Sequence, residues 1–302
     1  MAAHGRGKDH PARSVHSLLK TGIAMADPVF MVNGRRAGSL PVQDRAVQYG
    51  DGVFETLAVA DGRALCWERH LKRLALGCER LGFPAPAMNV LAIESAGIIP
   101  PGGHGVLKIL VSRGGSERGY APPPNPDVTR VLGWFPGPVH GLEHRRDGIE
   151  TRVCETRLGH NPRLAAIKHL NRLEQVLARA ELAQSGTPEG IMLDLDGNVV
   201  AGSMSNLFLI RSASLVTADL GCCGVAGIVR EIVLERAGEW NLKPEIRKVA
   251  LQDVQRADEL FFSNSIIGIW PVRGMAGHRF PGIERGRRIM ADLAAQGQVR
   301  IS

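Results

Sequence analysis

One stretch constrains this chain more than any other: Leu164-Ala165-Ala166-Ile167-Lys168-His169-Leu170-Asn171-Arg172-Leu173-Glu174-Gln175-Val176-Leu177. Four apolar residues run directly into a lysine, and Leu170, Leu173, Val176 and Leu177 then recur at helical spacing. The spacing predicts a helix with Lys168 at its mouth. An ammonium in such a setting has two outlets. Its stem can lie along a core edge while the head reaches water, or the amine can point into an internal site. In the second case lost solvation lowers its pKa, and the free amine that results is the form that attacks a carbonyl to make a Schiff base.

The rest of the chain alternates short strands with helices in no strict βαβ order. Pro28 to Val32 reads as a strand entering a tight turn at Asn33-Gly34, a pair that tolerates the positive φ of hairpin turns. A strand from Val53 to Val59 follows, then a helix from Glu68 to Leu81 with Leu71, Leu74, Cys78 and Leu81 on one face, stopped by Gly82 and Pro84. Arg73 lies off that stripe. A second helix falls within Met88 to Ile98, and strands run from Val106 to Val111 and from Thr129 to Phe135.

Beyond a turn-rich segment, Gly137 to Gly148, strands are expected from Ile149, Gly190, Asn198, Leu207, Leu215, Glu245, Glu259 and Ile269. Helices are expected from Ile228 to Trp240 and from Leu251 to Arg256. This pattern implies an α+β fold in two domains. Residues 28–138 form the smaller N-terminal one and 148–302 the larger C-terminal one, which carries Lys168. Residues 1–27 read as a disordered tail.

Composition narrows the function. The 302 residues carry a net charge of +7, and residues 1–24 supply +3 of it through Arg6, Lys8, Arg13 and Lys20 against Asp9. The folded part is then only mildly basic, which suits a small anionic substrate. Scattered basic residues and 5% aromatics argue against nucleic acid. No apolar run approaches the ~20 residues of a membrane span. The five cysteines are odd in number and lack metal-ligand spacing, and the histidines show no metal pattern, so no metal is expected and a cytoplasmic location fits.

Gly224-Val225-Ala226-Gly227-Ile228-Val229-Arg230 is a small-residue turn opening a helix, where free amides and the helix dipole suit an anion such as phosphate. Any glycine-capped helix start has that look. Arg73 could add a charge-assisted fork and Ser265 a hydroxyl.

Several short markers occur together and in order: Asp44-Arg45, Tyr49-Gly50-Asp51-Gly52-Val53-Phe54-Glu55, His70-Leu71-Lys72-Arg73-Leu74, Ser112-Arg113-Gly114, Lys168-His169-Leu170-Asn171, Ser205-Asn206-Leu207-Phe208, Gly227-Ile228 and Pro271-Val272-Arg273. In these the chain resembles the fold-type IV pyridoxal-phosphate enzymes, a family of branched-chain and D-amino-acid aminotransferases and 4-amino-4-deoxychorismate lyases. The spelling Lys168-His169-Leu170-Asn171-Arg172 with Gly50-Asp51-Gly52 is most similar to the lyase branch, which releases pyruvate and para-aminobenzoate for folate. The resemblance implies a homodimer with pyridoxal 5′-phosphate between two domains. Lys168 would hold the cofactor covalently. Arg73, the amides of Ile228 and Val229, and Ser265 would bind its phosphate, and Arg113 would contact a carboxylate of the substrate, aminodeoxychorismate.

One position departs from the family. Its members usually carry a glutamate five residues before the asparagine of the Ser205-Asn206 motif, where it keeps the pyridine nitrogen protonated. This chain has Ala201. Transamination depends on the full electron sink, whereas a lyase that ends in an aromatic ring has a driving force of its own. Glu55 is found in both branches. The alternative reading is a D-amino-acid or branched-chain aminotransferase on the same fold, favoured by Glu55 and disfavoured by Ala201.

Overall fold

The computed structural model describes residues 27–137 and 142–300. The tail expected over residues 1–27 lies, apart from Asp27, outside the described residues, as does part of the segment expected between the domains.

The first half builds a six-stranded sheet whose neighbouring strands are all antiparallel, ordered Arg35–Arg36, Val29–Val32, Thr129–Pro136, Gly105–Ser112, Gly52–Ala60, Arg63–Ala64. The turn at Asn33-Gly34 has positive φ at both residues, 46° and 78°, as the pair predicts. Period-two alternation sends Val53, Glu55, Leu57 and Val59 to one face and Phe54 and Thr56 to the other. The first face, with Leu107, Ile109, Leu132 and Trp134, is covered by helices Trp67–Leu81 and Met88–Ile98 through Leu71, Leu74, Cys78, Leu91 and Ile98. Gly82 ends the first of these helices at φ 76°.

The second half centres on strand Asn206–Arg211, buried on both faces. Leu207 and Leu209 pack with Val216, Leu260, Phe262, Trp270 and Val272 on one side. Phe208 and Ile210 face the other way, onto helix Ile228–Arg236 through Ile232 and Val233 and onto helix Glu284–Ala295 through Ile289 and Leu293. The strand order is Lys243–Arg247, Ser214–Ala218, Asn206–Arg211, Glu259–Asn264, Gly268–Met275, His278–Arg279, with Ile149–Thr151 added in parallel to Gly268–Met275. A short hairpin, Ile191–Leu193 with Val199–Gly202, leans on this sheet. The mixed, largely antiparallel pairing agrees with the expected α+β class.

The Lys168 stretch differs from expectation. Its helix begins only at Leu173 and runs to Ser185, burying Ala178 and Leu182. Leu173, Val176 and Leu177, which set the helical spacing, are exposed at 76%, 59% and 58%. Residues 164–171 are instead irregular, with a turn through Leu164-Ala165 and Ala166 at φ 66°, and the backbone from Ala166 onward is used elsewhere. Phe54 N donates to Lys168 O at 2.9 Å and Leu170 N to Gly52 O at 3.0 Å, while Ala166 N donates to Gly224 O and Ala226 N to Ala166 O on the other side. The segment is thus laced between the two halves.

This close approach explains the glycine at 52. A Cβ there would lie 2.4 Å from Val111 O and 2.8 Å from Leu170 Cδ1. Gly52→Ala is expected to lower stability by roughly 1–3 kcal/mol through overpacking. Urea denaturation would measure it, and an unchanged midpoint would refute the close packing around Gly52.

Candidate active site

A cavity of about 430 Å³ opens between the two sheets. Phe54 and Thr56 line it from the outer face of their strand, and Lys168 enters from the laced segment. Asn206, Gly227, Ile228 and Ser265 close the far side. The Lys168 amine sits 4.2 Å above the centre of the Phe54 ring. Burial, and after it the Arg73 charge, lowers its pKa to about 7, against a smaller upward pull from Glu55. The internal-site reading of this lysine is therefore the one the structure realises.

Arg73 reaches the cavity from helix Trp67–Leu81. It is held by Glu55, with Nε donating to Oε1 at 2.7 Å and Nη2 to Oε2 at 2.5 Å, and its Nη1 donates to Ala226 O at 2.7 Å. Glu55 also meets His70 Nδ1 at 2.6 Å, and His70 Nε2 lies 3.2 Å from Ser265 Oγ. Burial works to raise the Glu55 pKa, but Arg73 and then His70 hold it at about 2. Burial pushes His70 down, against the pull of Glu55. A neutral His70 that donates from Nδ1 to Glu55 accepts at Nε2 from the Ser265 hydroxyl. Ser265, His70, Glu55 and Arg73 thus form one continuous chain.

Sequence reasoning placed Arg73 and Ser265 but missed what joins them. The signal was present: Glu55 occupies an inward position between Val53 and Leu57, and His70 and Arg73 are three apart on one helix, so they share a face.

At the helix start, the first ladder bond is Glu231 N to Gly227 O, at 3.0 Å. The amides of Ile228 and Val229 precede it, and Gly227 makes no side-chain cap. The carbonyls just before the helix are taken: Val225 O accepts from Asn206 Nδ2 at 2.9 Å and Ala226 O from Arg73. A Cβ on Gly227 would lie 2.1 Å from Asn206 Oδ1, so only glycine permits this corner. An arginine, a serine hydroxyl and unladdered amides around one cavity, with a free amine across it, fit a phosphorylated aldehyde such as pyridoxal 5′-phosphate. Two buried donors in the cavity wall, Ser263 Oγ and Trp270 Nε1, have no protein partner.

Arg113 is not brought to the cavity. Its Nε and Nη2 donate to Asp51, its Nη1 to Gly82 O and its Nη2 to Leu81 O, and it lies 5.0 Å from the Phe83 ring centre. Arg45 binds the same Asp51 and ties down the carbonyls of Gly119, Tyr120 and Ala121. Three of the sequence markers therefore meet in a structural knot beside the site. Four of the five Arg113 N–H groups are taken within its own chain, and the side chain does not line the cavity. Ala201, buried, does line the cavity.

The depressed pKa of Lys168 can be read directly. Competitive acetylation is expected to label Lys168 with a midpoint near pH 7, because the free amine predominates above that value. A midpoint above about 9 for Lys168 would contradict its desolvated placement.

Comparison with known proteins places this geometry. The family model for amino-transferase class IV matches residues 52–275. An aminodeoxychorismate lyase of Vibrio harveyi is 34% identical over 278 residues, covering 88% of this chain and 99% of that protein. The crystal structure of 4-amino-4-deoxychorismate lyase from Pseudomonas aeruginosa superposes with a TM-score of 0.85 at 44% identity, over 89% of this chain and 99% of that one. The branched-chain amino acid aminotransferase of Escherichia coli shares the fold, with a TM-score of 0.77 at 22% identity over 90% of this chain and 95% of that one. With its lysine, phosphate-type corner and matched length, the chain belongs to the class IV aminotransferase family.

Proposed function

We propose that the protein is a pyridoxal-phosphate-dependent 4-amino-4-deoxychorismate lyase that releases pyruvate and para-aminobenzoate. The observation that carries this is the Lys168 amine, desolvated over Phe54 in a cavity whose other wall has the form of a phosphate cup, in a chain 44% and 34% identical to two such lyases. Arg73, the Ile228 and Val229 amides and Ser265 would hold the phosphate, with Glu55 and His70 orienting Arg73 and Ser265. Bound there, the cofactor supplies an electron sink for a C–H bond broken beside the substrate nitrogen. Lys168 is suited to carry that proton, since an amine with a pKa of about 7 both accepts and returns protons near neutrality. Loss of the ring proton and of enolpyruvate leaves para-aminobenzoate, and protonation of the enol yields pyruvate.

Ala201 fits this reading better than transamination. The nearby buried carboxylate, Glu189, is already engaged by the hydroxyls of Ser203 and Ser205 and by backbone amides, and it does not line the cavity. No acidic side chain among the described residues lines this cavity, so the ring nitrogen of a bound cofactor would lack the usual carboxylate. Aromatisation offsets that weakness in a lyase. Glu55, turned into Arg73 and His70, gives no support to an aminotransferase.

A homodimer accounts for the exposed apolar residues Leu173, Val176 and Leu177 on one helix and Tyr120 on the knotted loop. All five cysteines are free thiols, which suits a reducing cytoplasm. Among the described residues no helix is long and apolar enough to cross a membrane.

Purified protein loaded with pyridoxal 5′-phosphate should release para-aminobenzoate from aminodeoxychorismate and show little transfer from D-alanine or leucine to 2-oxoglutarate. Lys168→Ala should abolish both the Schiff-base absorbance and the release. Ala201→Glu should raise transamination, and unchanged transamination would count against the account of Ala201. Sedimentation should give about twice the chain mass of 32.6 kDa, falling towards one chain in Leu177→Asp; an unaltered monomer would rule out the dimer.

A further inference from the structure

The cavity holds three cationic side chains, and they are not equivalent. Arg73 is neutralised by Glu55, and Lys168 is a free amine for much of the time at neutral pH. Arg172, four residues beyond Lys168, is half-buried in the same wall and lacks an acidic partner among the described residues. Its one hydrogen bond runs from Nε to His169 O at 2.9 Å, and this bond braces the guanidinium while leaving both terminal nitrogens without a protein acceptor. Burial lowers its pKa to about 10, with only Glu174 working the other way. Its terminal nitrogens are not among the buried unpartnered atoms, so they open onto the cavity, where an anion can accept from them. Gln175, one place along the same wall, has its Oε1 buried and unpartnered.

We propose that Arg172 is the residue that recognises a substrate carboxylate, through a fork of its two terminal nitrogens. This rests on the lyase reading above and gives that site its second anionic subsite: the Arg73 corner takes phosphate, and the Arg172 corner takes carboxylate. Planar guanidinium and planar carboxylate match in a two-bond fork that no lysine reproduces. The sign of the whole cavity agrees, since among the described residues it is lined by cations and neutral groups alone. It also supplies the role that Arg113, held by Asp51 and two carbonyls away from the cavity lining, does not fill within its own chain. Arg172 acts here on affinity and specificity, while proton transfer stays with Lys168.

The test uses holoenzyme of Arg172→Gln and Arg172→Lys, with 3-(carboxymethoxy)benzoate as an unreactive aromatic dicarboxylate. Arg172→Gln should keep the Schiff-base absorbance and cofactor stoichiometry, while the KM for aminodeoxychorismate and the Kd of the dicarboxylate rise at least about tenfold, the scale of one lost charge-assisted hydrogen-bond pair. Arg172→Lys, which keeps the charge but not the fork, should fall between the two, and it serves alone if the glutamine variant does not fold. Dicarboxylate binding within about twofold of wild type in either folded variant, or loss of the absorbance band in both, would overturn the assignment. Binding of the dicarboxylate needs no turnover. If wild type releases no para-aminobenzoate, the lyase reading fails, while the dicarboxylate titration still decides for or against Arg172.

Discussion

The placement of Lys168 depends on backbone hydrogen bonds made by an extended segment rather than on any helix. Residues 166–170 exchange amide bonds with Gly52 and Phe54 on one side and with Gly224 and Ala226 on the other. A buried strand-like segment must satisfy its N–H and C=O groups, and here both halves of the chain do so. The lysine is thereby fixed at the seam between two sheets, where its amine loses water without gaining a carboxylate. Its depressed pKa follows from that position.

The electrostatics of the seam are arranged so that one charge pair stands guard over the other groups. Glu55 and Arg73 are nearly dry, and an ion pair in that setting returns its desolvation cost only when further hydrogen bonds complete it. His70 and the Ala226 carbonyl provide them. Arg73 is thus held rigid and pre-aimed, and Ser265 is drawn in through His70. Such support costs little to reorganise when an anion arrives. The opposite corner works differently, since Arg172 is braced by a single carbonyl and waits with unspent donors.

Much of this was legible before any coordinates. The strands around Val53, Val106, Thr129, Leu207 and Glu259 and the helices over residues 67–81 and 88–98 follow from period-two and period-3.6 patterns bounded by glycine and proline. Helix Glu284–Ala295, whose Ile289, Met290 and Leu293 are buried, has no counterpart among the sequence expectations, and the helix after Lys168 starts later than its spacing predicts. In the second case the apolar spacing of Leu173, Val176 and Leu177 falls on a face left mostly exposed among the described residues. Arg113 shows the same limit from the other side, because a marker residue looks alike in sequence whatever it touches, and within this chain it binds Asp51.

Sequence by itself determined a lysine directly after an apolar run, the glycine-opened helix start and the arginine off the apolar stripe, because each is a residue type at a locally readable spacing, whereas the departure at Ala201 is visible only against the resemblance to the family. The tertiary structure alone decided which of these groups share a cavity. It set Glu55 against Arg73 across 18 residues and His70 against Ser265 across 195. It also left Arg172 without an acid while consuming Arg113. Pairing of charges is a property of distance through space, and burial sets its strength; neither is written in the spacing along a chain.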